Sequence, residues 1–128
     1  MRHLRRAALA VVIGVAGFLS ACATPSRFEW GGYEAALYAY AKVPDKRPAY
    51  RAALEQAVEK GRKSDRVAPG LLAELGFLDL EDGDTAAAIS LFQEEMRRFP
   101  ESRQFLSGVI ARAQGGAQQA QASEGRAS

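Results

Sequence analysis

The chain has 128 residues, 48% of them hydrophobic, with one cysteine, one histidine and a formal net charge of +2. This excludes a disulfide framework and any centre built from several imidazoles, and it bounds the folded part to one small domain. The positive excess lies in the first six residues, so the remainder has no net basic field for nucleic acid.

Arg2, His3, Arg5 and Arg6 form a positive head. Ala7 to Ala21 follows without a charge, 15 residues in all. A bilayer-spanning helix needs roughly 20 apolar residues. A positive head, a short apolar core and small residues at its end predict a secretory signal peptide over 1–21. Leu19, Ser20, Ala21 and Cys22 resemble a bacterial lipobox: a branched apolar residue, two small residues, then cysteine. The resemblance implies that the Cys22 thiol receives a diacylglycerol, that the chain is cut before it, and that the new amino terminus takes a further fatty chain such as palmitate. Cysteine is required because its thiolate is the good nucleophile. Two or more fatty chains anchor a protein stably, where one holds it only marginally. Ala23 stands where, by resemblance to enterobacterial lipoproteins, Asp would favour inner-membrane retention. The expected location is therefore the outer membrane, with the domain facing the periplasm. Cleavage would remove Arg2, Arg5, Arg6 and His3, leaving 14 basic against 15 acidic residues, a net charge of −1.

Residues 22–29 read as a lipidated tether. The spacing then predicts helices over 30–113. Trp30, Tyr33, Leu37 and Tyr40 fall on one face of a first helix that starts near Gly32 or Tyr33 and stops at Val43-Pro44. A second, from about Arg47 to Arg62, carries Tyr50, Leu54 and Val58. Pro69-Gly70 opens a third, with Leu71, Leu75 and Leu78. Asp82-Gly83-Asp84 is a turn, and Asp84 is a good N-cap for a fourth that runs to about Phe99 and ends at Pro100. A fifth, from about Glu101 to Ala113, carries Phe105, Leu106, Val109 and Ile110. Residues 114–128 are mostly Gln, Ala, Gly and Ser with little to bury, and read as a disordered tail. No segment alternates with period two, so the expected fold is all-α, a small domain of about five helices after a signal peptide.

The third and fourth helices carry a spacing of Leu75-Gly76, Ala88, Phe92 and Pro100 that resembles a tetratricopeptide repeat. Gly76 and Ala88 would let two helices approach closely, Phe92 would fill the groove between them, and Pro100 would stop the second. The pattern departs at Asp79, where an aromatic is usual, and at Glu95, where alanine is usual. No second repeat is visible 34 residues earlier, and an ordinary hairpin in a small bundle accounts for the same residues.

Chemistry is sparse. The acidic run from Asp79 to Asp84 fails as a calcium loop, since Leu78 and Leu80 would occupy ligand positions. Glu94-Glu95 and Glu81-Asp82 are adjacent on helices and do not face each other. Ser102 and Ser107 lack a histidine base, and no lysine stands in a recognisable Ser-Lys motif. The expectation is no enzyme, cofactor, metal or small-molecule substrate. Trp30, Tyr33 and Tyr38 are candidate interface residues, because aromatic anchors are enriched at protein interfaces; Trp30 and Tyr33 also fit the core stripe, whereas Tyr38 lies off it.

Taken together, "FEWGGYEAALYAY" (Phe28 to Tyr40), "PGLLAELGFLDLEDGD" (Pro69 to Asp84) and "FPES" (Phe99 to Ser102), with the lipobox, resemble a bacterial lipoprotein family known as domain of unknown function 4810. The similarity runs from about Phe28 to Ile110. The family has no assigned activity. The resemblance implies a companion role beside other envelope lipoproteins, one of them similar to the curli secretion channel subunit. The resulting expectation is a membrane-held accessory or scaffold of an envelope assembly. The alternative is a module that binds a periplasmic peptide or peptidoglycan.

Overall fold

The computed structural model describes residues 26–126. Among these residues the fold is all-α, with five helices: α1 (Tyr33–Lys42), α2 (Arg47–Ser64), α3 (Leu71–Glu81), α4 (Thr85–Arg98) and α5 (Arg103–Glu124). Short 3₁₀ turns, Pro44–Lys46 and Pro100–Ser102, lead into α2 and α5. Proline fits there because a first turn needs no N–H donor from it. The only strand-like pairing among the described residues is an isolated parallel bridge between Glu29 and Val67.

Local chemistry sets the boundaries. Asp84 caps α4, its side chain accepting from the Ala87 N–H at 3.0 Å. Asp65 closes α2 in the left-handed conformation at φ 53°. Arg97 and Arg98 occupy the last turn of α4, where cations suit the helix dipole.

The apolar stripes meet in two adjoining clusters. The larger joins Tyr50, Leu54, Ala57 and Val58 of α2 to Val67 and Ala68 of the following loop and to Leu71, Leu72, Leu75 and Leu78 of α3. The smaller gathers Ala88, Phe92, Leu106 and Val109, and ties α5 onto the α3–α4 hairpin. Gly76 marks the closest approach in that hairpin. A Cβ built there would stand 2.7 Å from Cε1 of the fully buried Phe92 ring. Helix α1 contributes no fully buried residue; Tyr33, Leu37 and Tyr40 pack half-buried against the larger cluster.

The final helix corrects one expectation. It does not stop at Ala113 before a disordered tail but continues to Glu124. Ala and Gln favour helix, no proline interrupts, and Gly115-Gly116 costs only about 1 kcal/mol per glycine. Gln114, Ala117, Gln118 and Gln121 flank a groove with Thr85, Ala86 and Ile89 of α4. The extension therefore runs alongside α4 although it buries little.

Candidate functional site

The lipobox residues Leu19, Ser20, Ala21 and Cys22 lie outside the described residues. The described chain begins at Ser26, and its first residues are held against the α2–α3 junction. Glu29 donates its N–H to the Arg66 carbonyl at 2.8 Å. The Arg66 guanidinium donates to the carbonyls of Arg27 and Ser26 and pairs with Glu29 at 3.4 Å. One side chain thus clamps residues 26–29, the end of the stretch read from sequence as the tether.

From this clamp an aromatic chain runs over α1 and α2. Phe28 meets Trp30 edge to face at 6.5 Å, Trp30 meets Tyr33 at 6.0 Å, and Tyr33 meets Tyr50 at 6.2 Å. Tyr40 stacks on Tyr50 at 5.2 Å. The Tyr33 hydroxyl donates to Glu74 of α3 at 2.5 Å. Burial, then the Glu74 carboxylate, pushes the Tyr33 pKa up to about 12. Burial and the same carboxylate push the Tyr50 hydroxyl up as well. Both phenols are therefore neutral at physiological pH, and they serve packing. Tyr38 differs: it is 63% exposed, with the Lys42 ammonium 4.3 Å from its ring centre. Of the three candidate interface aromatics, Trp30 and Tyr33 lie half-buried against the core and Tyr38 presents its ring to solvent.

The repeat-packing residues converge on the α3–α4 hairpin. Leu75 is buried, Gly76 faces the Phe92 ring, and Ala88 and Phe92 have no exposed surface. Pro100 follows the end of α4 and opens a 3₁₀ turn. The two departures from the repeat pattern have partners. Asp79, 14% exposed, receives the Arg51 guanidinium at 2.8 Å. Glu95 is 2% exposed and accepts from the Gly70 N–H at 2.7 Å, so it caps α3 from the side of α4. Gly70 sits at φ 92°, a conformation open to glycine, and has no side chain with which to cap the helix itself. Burial raises the Glu95 pKa against the opposing pull of the Gly70, Ala73 and Leu72 amides. Its Oε2 makes no hydrogen bond.

Charge is organised by the ends of the bundle. The acidic run from Asp79 to Asp84 is spent on protein partners. Arg47 pairs with Glu81 at 3.1 Å and with Asp82 at 2.9 Å, while Arg51 pairs with Asp82 at 2.7 Å and with Asp79. Hydrogen bonding from Arg47 holds the Asp82 carboxyl below its usual range. At the other end Arg62 pairs with Glu94, and Arg98 with Asp65 and Glu94. Arg62 first, and Arg98 after it, lower the Glu94 pKa. Beside them Gln93, Met96 and Arg97 of α4 and Arg103, Gln104 and Ser107 of α5 line an open groove of about 510 Å³. Among the described residues no cluster of His, Cys, Asp or Glu has the grouping to hold a metal ion, and no helix is long and apolar enough to cross a membrane.

Sequence reasoning missed Arg66, Arg51 and the capping role of Glu95. Their partners lie 25 to 40 residues away along the chain. The unusual residue types at positions 79 and 95 were the one available signal.

A family model described as "Domain of unknown function (DUF4810)" matches residues 28–109. No curated protein and no solved structure matches the chain.

Proposed function

The chain belongs to the DUF4810 family, and we propose that it is a lipid-anchored accessory or scaffold protein of the cell envelope, without enzymatic activity. In this reading Cys22 carries the lipid, the anchor sits in the outer membrane, and the helical domain faces the periplasm. The observation that carries it is the lipobox directly after the short apolar segment, followed by a domain whose described residues begin only four positions later. Fully extended, four residues span about 14 Å at most. A domain so tethered works at the membrane surface, where other anchored proteins are concentrated. Carboxylates occupied by arginine and phenols held neutral support an interaction role over acid–base chemistry. The partner class is another envelope lipoprotein, of the kind that the family resemblance associates with a secretion channel, and exposed Tyr38 is the proposed contact.

In-cell crosslinking followed by purification from outer-membrane fractions tests this. A lipoprotein recovered with the wild-type chain and lost with Cys22→Ala is the expected result. Recovery of murein fragments alone, or of the same proteins with both chains, contradicts it.

A further inference from the structure

Where the tether leaves the domain constrains which end meets the membrane. The Arg66 clamp fixes residues 26–29 at the end of the bundle that also holds the carboxyl terminus of α2, the carboxyl terminus of α4 and the start of α5. Arginines at this end are not all consumed by carboxylates. Arg27 packs over the Phe28 ring at 5.6 Å and makes no ion pair among the described residues. Arg97 makes none either, and Arg103 uses only its Nε, which donates to the Met96 carbonyl at 3.2 Å. Arg97 and Arg103 flank the 510 Å³ groove. At the opposite end Arg47 and Arg51 are held by Asp79, Glu81 and Asp82.

We infer that the tether end of the domain is a docking face for anionic lipid headgroups, with Arg27, Arg97 and Arg103 meeting phosphates and the α3–α4 turn pointing away from the bilayer. The inference rests on the anchoring reading. The four positions from Cys22 to Ser26 span about 14 Å at most, against a Debye length of about 10 Å at 0.1 M salt. The tethered end is therefore held near the range where an anionic surface attracts arginine, at about fivefold in partitioning per residue. Guanidinium suits this contact because its planar fork binds phosphate in a bidentate manner.

The test uses the processed, lipid-bearing chain. Cys22 is the sole cysteine, so acylation leaves one added cysteine free for a fluorophore, either Gln104→Cys at the tether end or Ala86→Cys at the far end. Both positions are exposed. The chain is placed in vesicles of phosphatidylglycerol and phosphatidylcholine containing a nitroxide headgroup lipid. The expected result is quenching at least threefold stronger at position 104 than at 86. The ratio should fall toward one in pure phosphatidylcholine, at 1 M salt, and with Arg27→Gln, Arg97→Gln and Arg103→Gln combined. Equal quenching at both positions in anionic vesicles overturns the inference, as does a ratio that neither salt nor the three substitutions change. Intact mass separates the two readings: an unacylated chain overturns the anchoring and this inference together, whereas an acylated chain with equal quenching overturns this inference alone.

Discussion

Glu95 of α4 accepts the backbone N–H of Gly70 at 2.7 Å, so a buried carboxyl from one helix closes the amino terminus of the helix before it. A capping side chain is usually supplied by the helix's own N-cap residue. Here that residue is glycine, and the cap arrives from 25 positions away. Glu95→Ala should destabilise the domain by about 1–2 kcal/mol, because the Gly70 N–H at the start of α3 loses its capping acceptor. Urea unfolding of the two chains measures it, and a loss below about 0.5 kcal/mol would remove the cap from the account.

The same carboxyl predicts a pH dependence. Burial raises the Glu95 pKa in the folded state. The folded chain therefore binds more protons than the unfolded chain between the ordinary carboxyl value and the raised one. Stability from this group is fully present below the unfolded value and is lost as pH rises through the folded value. Glu95→Gln cannot titrate. Its stability relative to wild type should improve between pH 4 and pH 7, read from unfolding midpoints at several pH values. A constant or opposite difference contradicts the assignment.

Gly76→Ala should destabilise although alanine is the better helix former. The gain in propensity is at most about 1 kcal/mol, while the new Cβ would stand 2.7 Å from the Phe92 ring. Overpacking of this kind costs about 1–3 kcal/mol. Combining Gly76→Ala with Phe92→Leu should recover part of that loss in a double-mutant cycle. Strict additivity would mean that the two residues are not coupled.

Much of this architecture is legible because its signals are local. Pro44, Pro100 and Asp84 act within one turn of themselves, and the stripes through Tyr50, Leu54 and Val58 or through Leu71, Leu75 and Leu78 follow from helical period alone. The all-α fold and the helix order follow from those signals. Asp79 and Glu95 were visible only as departures from a repeat pattern, since Arg51 and Gly70 are adjacent in space and remote in sequence. The clamp at Arg66 had no local signal. The extent of α5 is not legible in composition, which measures what a segment can bury, whereas Ala and Gln sustain a helix through propensity along one side of α4.

Arg66→Ala should loosen residues 26–30 more than it unfolds the domain. It removes two hydrogen bonds to carbonyls and one ion pair, all at exposed positions, and leaves the Glu29–Arg66 backbone bond in place. Hydrogen exchange at Phe28 to Trp30 should accelerate at least tenfold, with a global loss of about 1 kcal/mol. Unchanged exchange in this segment would dismiss the clamp.

Tyr38→Ala should leave stability within about 0.5 kcal/mol of wild type, as expected for an exposed side chain. If Tyr38 is the contact, the same substitution reduces in-cell crosslinking to the envelope partner. A variant that folds and crosslinks as before would exclude Tyr38 from the interface.

The central claim is the anchor, and the intact mass of the chain purified from cell membranes tests it most directly. The expected chain begins at Cys22 and carries the added mass of a diacylglycerol and a further fatty acyl group, with Cys22→Ala yielding an unacylated chain absent from the membrane fraction. A wild-type chain with a free Cys22 thiol, or one that retains residues 1–21, would contradict it.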